Sequence, residues 1–172
     1  MLKLLRFVPI VFLFLIGCNN VKVKEGQEKT VKGIYLSLKD ISKSQLDIHD
    51  PSHALFRTSI KSAIKNLNEK DLSSLFDMFL AKNKQGTVPF VVCDEIVNKL
   101  GQKKTKEAAN QLIKIYFKHR VFFDGEMALN LRCAFKNLGT VGLNALEKEE
   151  KAQKDRFLED IKKMIINNEA CI

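Results

Sequence analysis

Four residues of metal-binding type lie close together in the sequence: Asp47, His49, Asp50 and His53. Imidazole nitrogens and carboxylate oxygens both bind transition metals, so this spacing could place several ligands in one turn-like segment. Pro51 prevents a single helix from containing both histidines, and Asp50 before Pro51 is a common way for a helix to start. We interpret the segment as a helix start and expect neither a metal nor another cofactor. An enzymatic or metal-binding site here is the alternative hypothesis.

Other residues with catalytic side chains lack the spacing of a known active site. His119 stands between Lys118 and Arg120 at the end of a predicted helix, where a positive side chain interacts favourably with the terminal carbonyls. The adjacent acids Asp94 and Glu95 should point to different sides of a helix, which favours a solvated face over acid–base catalysis. HExxH, GxSxG and a glycine-rich phosphate loop are absent from the sequence. We therefore expect no catalytic residues and a protein that is not an enzyme.

Three cysteines lie well beyond the N-terminal region. Cys93 has the register of apolar residues in neighbouring helices and is expected to be buried as a small apolar side chain. Cys133 lies off that apolar stripe, and Cys171 is next to the C-terminus. If any disulfide forms, we predict that it joins Cys133 to Cys171 and fastens the last helix to the domain. Three cysteines without close spacing do not indicate a zinc site.

The first residues have the pattern of an export signal. Lys3 and Arg6 precede an unbroken apolar run over residues 7–16. A run of about ten apolar residues falls within the ~7–15 of a signal peptide and well short of the ~20 that span a bilayer. The sequence therefore predicts a cleaved signal peptide over residues 1–17 and no permanent transmembrane helix.

This run ends in Leu15-Ile16-Gly17-Cys18, which resembles the lipobox of bacterial lipoproteins. The resemblance implies cleavage after Gly17, a diacylglycerol thioether on the Cys18 sulfur and usually a third acyl chain, such as palmitate, on its new amino group. Several chains give a stable membrane anchor, since each buried methylene contributes roughly 0.8 kcal/mol. Asn19 stands where enterobacterial lipoproteins of the inner membrane typically have Asp. We expect a lipid-anchored protein of the bacterial cell envelope, at the outer membrane.

The composition is that of a globular and basic protein. The chain has 172 residues, of which 45% are hydrophobic and 28% charged, and a formal net charge of +9. These values exclude a collagen-like or disordered chain and fit one compact domain. A basic excess often indicates nucleic-acid binding, but export removes most such roles, so we expect no nucleic acid. Lipid headgroups, cell-wall polymers or an acidic protein surface are the expected acidic partners, although lysines spread over a helical surface also account for the charge.

The mature chain divides into a tether and a helical domain. Residues 18–33, which begin with the acylated cysteine, are polar with no sustained apolar face, so they should form a flexible tether that holds the domain roughly 20 Å from the lipid. Residues 34–172 should form the domain, and residues 34–38 could be a strand or the start of a helix. Caps and periodicity predict helices at 51–67, 69–83, 88–100, 104–119, 125–138 and 141–167. Gly101 and Gly139 are expected to close their helices in a left-handed conformation.

The predicted helices repeat. Leu67, Leu100 and Leu138 are 33 and 38 residues apart, and each follows apolar residues seven, four and three positions earlier, which lie on one helical face. These apolar sets are Ile60, Ala63 and Ile64, then Cys93, Ile96 and Val97, then Leu131, Ala134 and Phe135. The pattern resembles HEAT-type α-solenoid repeats, which implies an all-α fold of stacked helix hairpins. An irregular α-helical bundle is the alternative.

A stack of helices provides an extended surface for binding and needs no pocket. This property agrees with the missing catalytic motifs, so the sequence predicts a non-catalytic domain that binds a protein or an envelope component. The aromatic pair Phe122-Phe123 could be an exposed docking patch in such a stack. We interpret it instead as core between helix pairs, because most aromatic side chains in small helical domains are used for packing.

Overall fold

The computed structural model describes residues 30–41, 52–82 and 87–171. These ranges contain eight α-helices and no strand, so the all-α fold class is confirmed. The helices are α1 (Val31–Ile41), α2 (Ser52–Ile64), α3 (Glu69–Lys82), α4 (Thr87–Gln102), α5 (Lys106–Lys118), α6 (Gly125–Leu138), α7 (Thr140–Gln153) and α8 (Arg156–Ile166). A short 3₁₀ turn, Arg120–Phe122, lies between α5 and α6.

The helices pack in two layers that alternate along the chain. In one layer α4 contacts α2 and α6, and α8 packs beside α6. In the other layer α3 contacts α1 and α5, and α5 contacts α7. The two layers contact each other where α3 packs on α4. They also meet where α4 packs on α5 and where α6 packs on α7. This arrangement is consistent with stacked helix hairpins and with a helical bundle.

Contacts within each layer join residues about one repeat apart. The Thr105 hydroxyl bonds to Glu69 across 36 positions of sequence, and His119 meets Asp77 across 42 positions. The first contact joins the starts of α3 and α5, and the second joins the second half of α3 to the end of α5, so the two helices run in the same direction. Asn130 likewise contacts Asp94 across 36 positions.

The apolar stripes predicted from the repeat form the core. Ile60, Ile64 and Leu67, then Cys93, Ile96, Val97 and Leu100, then Leu131, Ala134, Phe135 and Leu138 are all buried, and Ala63 packs against them half-buried. The core extends from Ile34 in α1 to Ile161 in α8. The described residues thus contain a continuous core of their own.

The structure corrects the predicted role of Gly101. Gly101 was expected to end its helix, but α4 continues through it to Gln102. A glycine stands there because α4 lies against α6: a Cβ at position 101 would come within 2.7 Å of the Ala134 Cα. The left-handed residue of this turn is Lys104, with φ 54°, while Gly139, with φ 60°, closes α6 as predicted.

The prediction of a single helix over residues 141–167 is also wrong, because this segment forms two helices. α7 ends at Gln153, Lys154 turns the chain with φ 49°, and α8 starts at Arg156. Asp155 sets this start because its Oδ1 accepts hydrogen bonds from the amides of Phe157 and Leu158 at 3.0 and 3.1 Å.

The start of the domain is helical. α1 includes residues 34–38, for which a strand was the alternative, and it begins at Val31. The last three residues of the predicted tether are therefore part of a helix. The Thr30 hydroxyl accepts a hydrogen bond from the Gly33 amide at 3.1 Å, which satisfies one of the free amides of the first turn.

Candidate functional site

Several residues singled out in the sequence lie outside the described ranges. These are Cys18 with its lipobox, Asp47, His49 and Asp50, whereas His53 belongs to α2. The part of the chain that the structure describes has no group of three His, Cys, Asp or Glu residues that could hold a metal ion. The same residues include no helix that is long and apolar enough to cross a membrane.

The three described cysteines occupy two environments. Cys93 is fully buried in α4, and burial raises the pKa of its thiol well above the ordinary value. Cys133 on α6 and Cys171 after α8 are half-buried free thiols. Burial, followed by a hydrogen bond with Cys171, raises the pKa of Cys133 to about 12. The fold therefore brings together the two cysteines for which a disulfide is predicted, and the disulfide itself stays a prediction.

A buried polar cluster joins α2, α4 and α6. Arg57 donates hydrogen bonds to Asp94 Oδ2 at 2.5 Å and to Glu95 Oε1 at 2.8 Å. The amides of Asn98 and Asn130 donate to Asp94 Oδ1 at 3.2 and 2.5 Å. Asp94 and Glu95 are only 3% and 5% exposed.

The expectation of a solvated face at Asp94 and Glu95 is therefore wrong. α4 is surrounded by α2, α3, α5 and α6, so its polar side is covered as well. Both carboxylates meet Arg57, and Asp94 also accepts from amides. This arrangement joins three helices through one buried ionic cluster.

His119 has an acidic partner that was not predicted from the sequence. Its Nε2 lies 2.6 Å from Asp77 Oδ1, and Lys118 donates to Asp77 Oδ2 at 2.6 Å. The His119 ring also packs against Phe76, with centroids 5.6 Å apart. Asp77 lies about one repeat before His119, and this spacing could have indicated the pair. The cluster ties the end of α5 to α3.

Asp155 is the centre of a third cluster. It is 5% exposed, it caps α8, and Arg120 Nη2 lies 2.8 Å from its Oδ2. The Tyr116 hydroxyl donates to Asp155 Oδ1 at 3.2 Å. Burial, and then the charge of Asp155, raise the pKa of Tyr116. Asp155 therefore joins α5 and the 3₁₀ turn to α8.

The aromatic residues beside this cluster are core, as predicted. Phe123 is buried and stacks on Phe76, with centroids 6.1 Å apart and planes 2° apart. Phe122 is half-buried and packs edge-to-face on Phe76. Val121, at the tip of the turn, is 95% exposed.

A groove of about 360 Å³ lies between α6, α8 and the C-terminal residues. Its lining consists of Leu129, Arg132, Asp160, Lys163, Met164, Glu169 and Ala170. The Arg132 guanidinium is also held over the Phe157 ring at 5.4 Å. Two cations and two carboxylates line the groove, so its charge favours neither an anion nor a cation.

Three neighbouring turns along one edge of the domain carry several lysines. The α2–α3 and α4–α5 turns are joined by the hydrogen bond from Thr105 Oγ1 to Glu69 Oε1, at 2.9 Å. The α4–α5 and α6–α7 turns are neighbours because Gly101 packs on Ala134. The lysines in and beside these turns are Lys65, Lys70, Lys99, Lys103, Lys104, Lys106 and Lys136. We call this surface the basic turn edge.

Within the described ranges these seven lysines form no ion pair, although Lys136 donates a hydrogen bond to the backbone carbonyl of Glu169. Among the described residues, no carboxylate lies within the 4.0 Å ion-pair distance of any of them. The nearby carboxylates instead accept hydrogen bonds from neutral groups. The pairs are Glu69 with Thr105, Asp71 with Asn68, Glu107 with Gln111 and Glu169 with Asn167.

Glu69 is one of these carboxylates, and its surroundings favour the ionised form. Its pKa is lowered by a hydrogen bond to its own backbone amide, and next by the bond from Thr105. The positive charge of Lys103 lowers this pKa further. Glu69 therefore stays ionised while it accepts a hydrogen bond from Thr105 at the start of α5.

Cations at the other end of α5 have carboxylate partners. Lys118 lies 2.6 Å from Asp77, and Arg120 lies 2.8 Å from Asp155. The cations at this end of α5 thus form ion pairs, whereas the described lysines of the basic turn edge do not.

Comparison of the chain with known proteins finds no matching family, no similar curated protein and no similar solved structure.

Proposed function

We propose that this protein is a lipoprotein of the bacterial cell envelope, at the outer membrane, that is anchored through Cys18. The observation that supports this proposal is the order of Lys3 and Arg6, ten apolar residues and Leu15-Ile16-Gly17-Cys18 at the N-terminus. Acyl chains on Cys18 would hold the mature chain at a bilayer.

The helical domain would act by binding and not by catalysis. The regular separation of contacts such as Thr105–Glu69 and Asn130–Asp94 supports a HEAT-like stack of helix hairpins. Such a stack distributes binding over an extended surface. The polar clusters around Asp94, Asp77 and Asp155 each join two or more elements of the fold, which supports a structural role for them.

The basic turn edge is the surface that would bind the partner. Among the described residues its lysines have no carboxylate within ion-pair distance, whereas Lys118 and Arg120 at the other end of α5 are paired. The partner would be a protein or another envelope component with an acidic surface.

Incorporation of radiolabelled palmitate tests the anchor. The unaltered protein should be labelled and should fractionate with membranes, and Cys18→Ala should abolish the label. Cys171→Ala is the matched control, because it removes another cysteine and should leave the label in place. An unlabelled protein that retains residues 1–17 would contradict the proposal.

A crosslinking pull-down from intact cells tests the binding role. Charge reversal of Lys103 and Lys104 should reduce capture of the specific partner, whereas His49→Ala and His53→Ala should not. Loss of function on changing either histidine, together with bound metal in the purified protein, would instead support the metal-site hypothesis.

A further inference from the structure

We propose that the basic turn edge docks on anionic lipid headgroups of the bilayer to which the protein is anchored. This proposal rests on the proposed function and specifies its partner: the binding surface would face the lipid itself.

The residue types at the edge favour a lipid surface over a protein partner. Residues 65–70, 99–107 and 136–140 contain seven lysines, no arginine and no aromatic residue. The centres of protein interfaces are rich in arginine and aromatic residues and poor in lysine. Lysine is a strongly hydrated point charge on a flexible stem, which suits a diffuse layer of headgroup charges rather than one fixed carboxylate. Clusters of about four to eight basic residues beside a membrane are typical of anionic-lipid binding.

The arrangement of the turns allows the lysines to act together. Packed helices lie about 8–10 Å apart, a distance close to the Debye length of ~8 Å at physiological ionic strength. Lysines of neighbouring turns are therefore not fully screened from one another. The nearby carboxylates are bonded to Thr105 or to amide side chains, and seven lysines outnumber these four acids, so the net charge of the edge is positive.

With the predicted tether, a weak attraction between the lysines and the lipid headgroups would be sufficient for docking. A tether of roughly 20 Å would keep the domain close to the bilayer, so docking would be an intramolecular event at a high effective concentration. Lysines that each contribute weakly would then shift the domain onto the lipid surface without a deep site or an inserted apolar segment.

The chain offers a matched control for the charge. Lys104 has a positive φ of 54° and precedes the N-cap Thr105, and Lys106 is the first residue of α5. Lys154 has a positive φ of 49° and precedes the N-cap Asp155, and Arg156 is the first residue of α8. The two turns share backbone geometry and lose the same charge when both cations are changed to Gln. Only the first turn belongs to the basic turn edge.

The test measures co-sedimentation of residues 19–172 with lipid vesicles. These residues lack the acyl chains and include every core residue that the structure describes, and circular dichroism checks the folding of every variant. We expect binding to vesicles of phosphatidylglycerol and phosphatidylcholine in equal parts, and little binding to pure phosphatidylcholine. Lys104→Gln with Lys106→Gln should weaken binding about 25-fold, since each lysine near an anionic surface contributes about fivefold. Lys154→Gln with Arg156→Gln should change it less than about twofold.

A second measurement uses the unaltered chain, so it does not depend on how the variants fold. Amine-reactive labelling followed by mass spectrometry should show protection of Lys104 and Lys106 on the anionic vesicles and no protection of Lys154. About 1 M salt, which shortens the Debye length to ~3 Å, should remove the protection.

The outcomes separate docking from anchoring. Equal binding to both kinds of vesicle, or equal losses in the two double variants, would overturn the docking proposal even if palmitate labels Cys18. Selective binding through Lys104 and Lys106 in a chain that takes up no palmitate would support docking and overturn the anchor. Capture of an acidic protein without vesicle binding would assign the edge to a protein partner and overturn the lipid proposal.

Discussion

Gly101 of α4 packs directly on Ala134 of α6, and the contact leaves no space for a side chain. A Cβ at position 101 would lie 2.7 Å from the Ala134 Cα and 2.9 Å from both its Cβ and its carbonyl oxygen. The obstructing atoms are mainly backbone, which cannot rotate away as a flexible side chain can. This contact brings the C-terminal ends of α4 and α6 together and places their turns side by side.

Gly101→Ala should therefore destabilise the domain. In a free helix this change would stabilise by about 1 kcal/mol, because alanine favours helix more than glycine does. Here the added methyl group forces α4 and α6 apart, and overpacking of this kind costs typically 1–3 kcal/mol or more. We expect a net loss of about 1–2 kcal/mol in the free energy of unfolding, measured by urea denaturation.

Gln102→Ala is the control for this prediction. Gln102 is the next residue of α4 and is exposed, so its loss should change stability by less than about 0.5 kcal/mol. A Gly101→Ala protein as stable as the unaltered chain would mean that α4 and α6 are not in contact at this point.

Gly101 also shows what the sequence could and could not predict about the fold. The apolar stripes that end at Leu67, Leu100 and Leu138 were found from helical periodicity alone, because burial of one face imposes that periodicity. A glycine after Leu100 has the local pattern of a helix end, and only the contact with Ala134 explains why the helix continues. The break at Lys154 was missed for a related reason, since the turn contains neither glycine nor proline.

Arg57→Met should cost more stability than Gly101→Ala. Arg57 is the cation bonded to Asp94 and Glu95, which are almost fully buried. Burial lowers the pKa of Arg57, but its bonds to the two acids raise it more, so the net shift is upward and Arg57 stays charged. Removal of one partner from a buried ionic group leaves uncompensated charge and costs about 3–5 kcal/mol. The free energy of unfolding in urea should fall by about this amount.

Lys61→Met provides the comparison for Arg57. Lys61 lies 3.8 Å from Glu95 and its side chain is 66% exposed, so its loss should cost less than about 0.5 kcal/mol. A similarly small loss for Arg57→Met would indicate that water already solvates the two carboxylates.

The candidate sites were less predictable than the fold because their members come from different repeats. Asp94 and Glu95 look like a solvated pair until α2 and α6 cover them, and the partner of His119 is 42 positions away. Local spacing shows which residues share a helix face, but it does not show which neighbouring helix covers that face. The basic turn edge is of the same kind, because its lysines become neighbours only when the three turns stack.

The ionisation of Tyr116 should depend on Asp155. Burial and the carboxylate charge both raise the pKa of the phenol, with burial the larger cause. In a Tyr35→Phe background, an ultraviolet absorbance titration reports Tyr116 alone, since the chain has only two tyrosines. Asp155→Asn should lower the titration midpoint, because the repulsion between phenolate and carboxylate is lost, but burial should keep it above the ordinary ~10.

The control for Tyr116 is Asp124→Asn. Asp124 is an exposed acid at the start of α6 with no side-chain bond to its helix, so the Tyr116 midpoint should stay unchanged. Equal shifts for the two Asp→Asn variants would indicate a general charge effect in place of the direct contact.

Cys133 and Cys171 should form a disulfide when the folded protein is oxidised. With glutathione disulfide as oxidant, the two thiols would lose two electrons and two protons to give one S–S bond and two molecules of glutathione. The bond would close a loop of about 40 residues and should stabilise the domain by about 2–4 kcal/mol. Peptide mapping under non-reducing conditions should find the Cys133–Cys171 pair, while Cys93, which is fully buried, stays a free thiol.

The reduced protein provides a second check on Cys133 through its pH dependence. The pKa of Cys133 is about 12 in the folded domain and close to 9 in the unfolded chain. The folded state therefore holds the thiol proton more tightly, and the stability from this protonated thiol is present below about pH 9 and lost as the pH rises toward 12. In Cys133→Ala the part of the stability loss that comes from ionisation of Cys133 should disappear. The contributions of Cys93 and Tyr116 to the pH dependence should be the same in the unaltered protein and in the variant. An unchanged slope of stability against pH in the variant would show that the Cys133 thiol ionises normally in the folded domain.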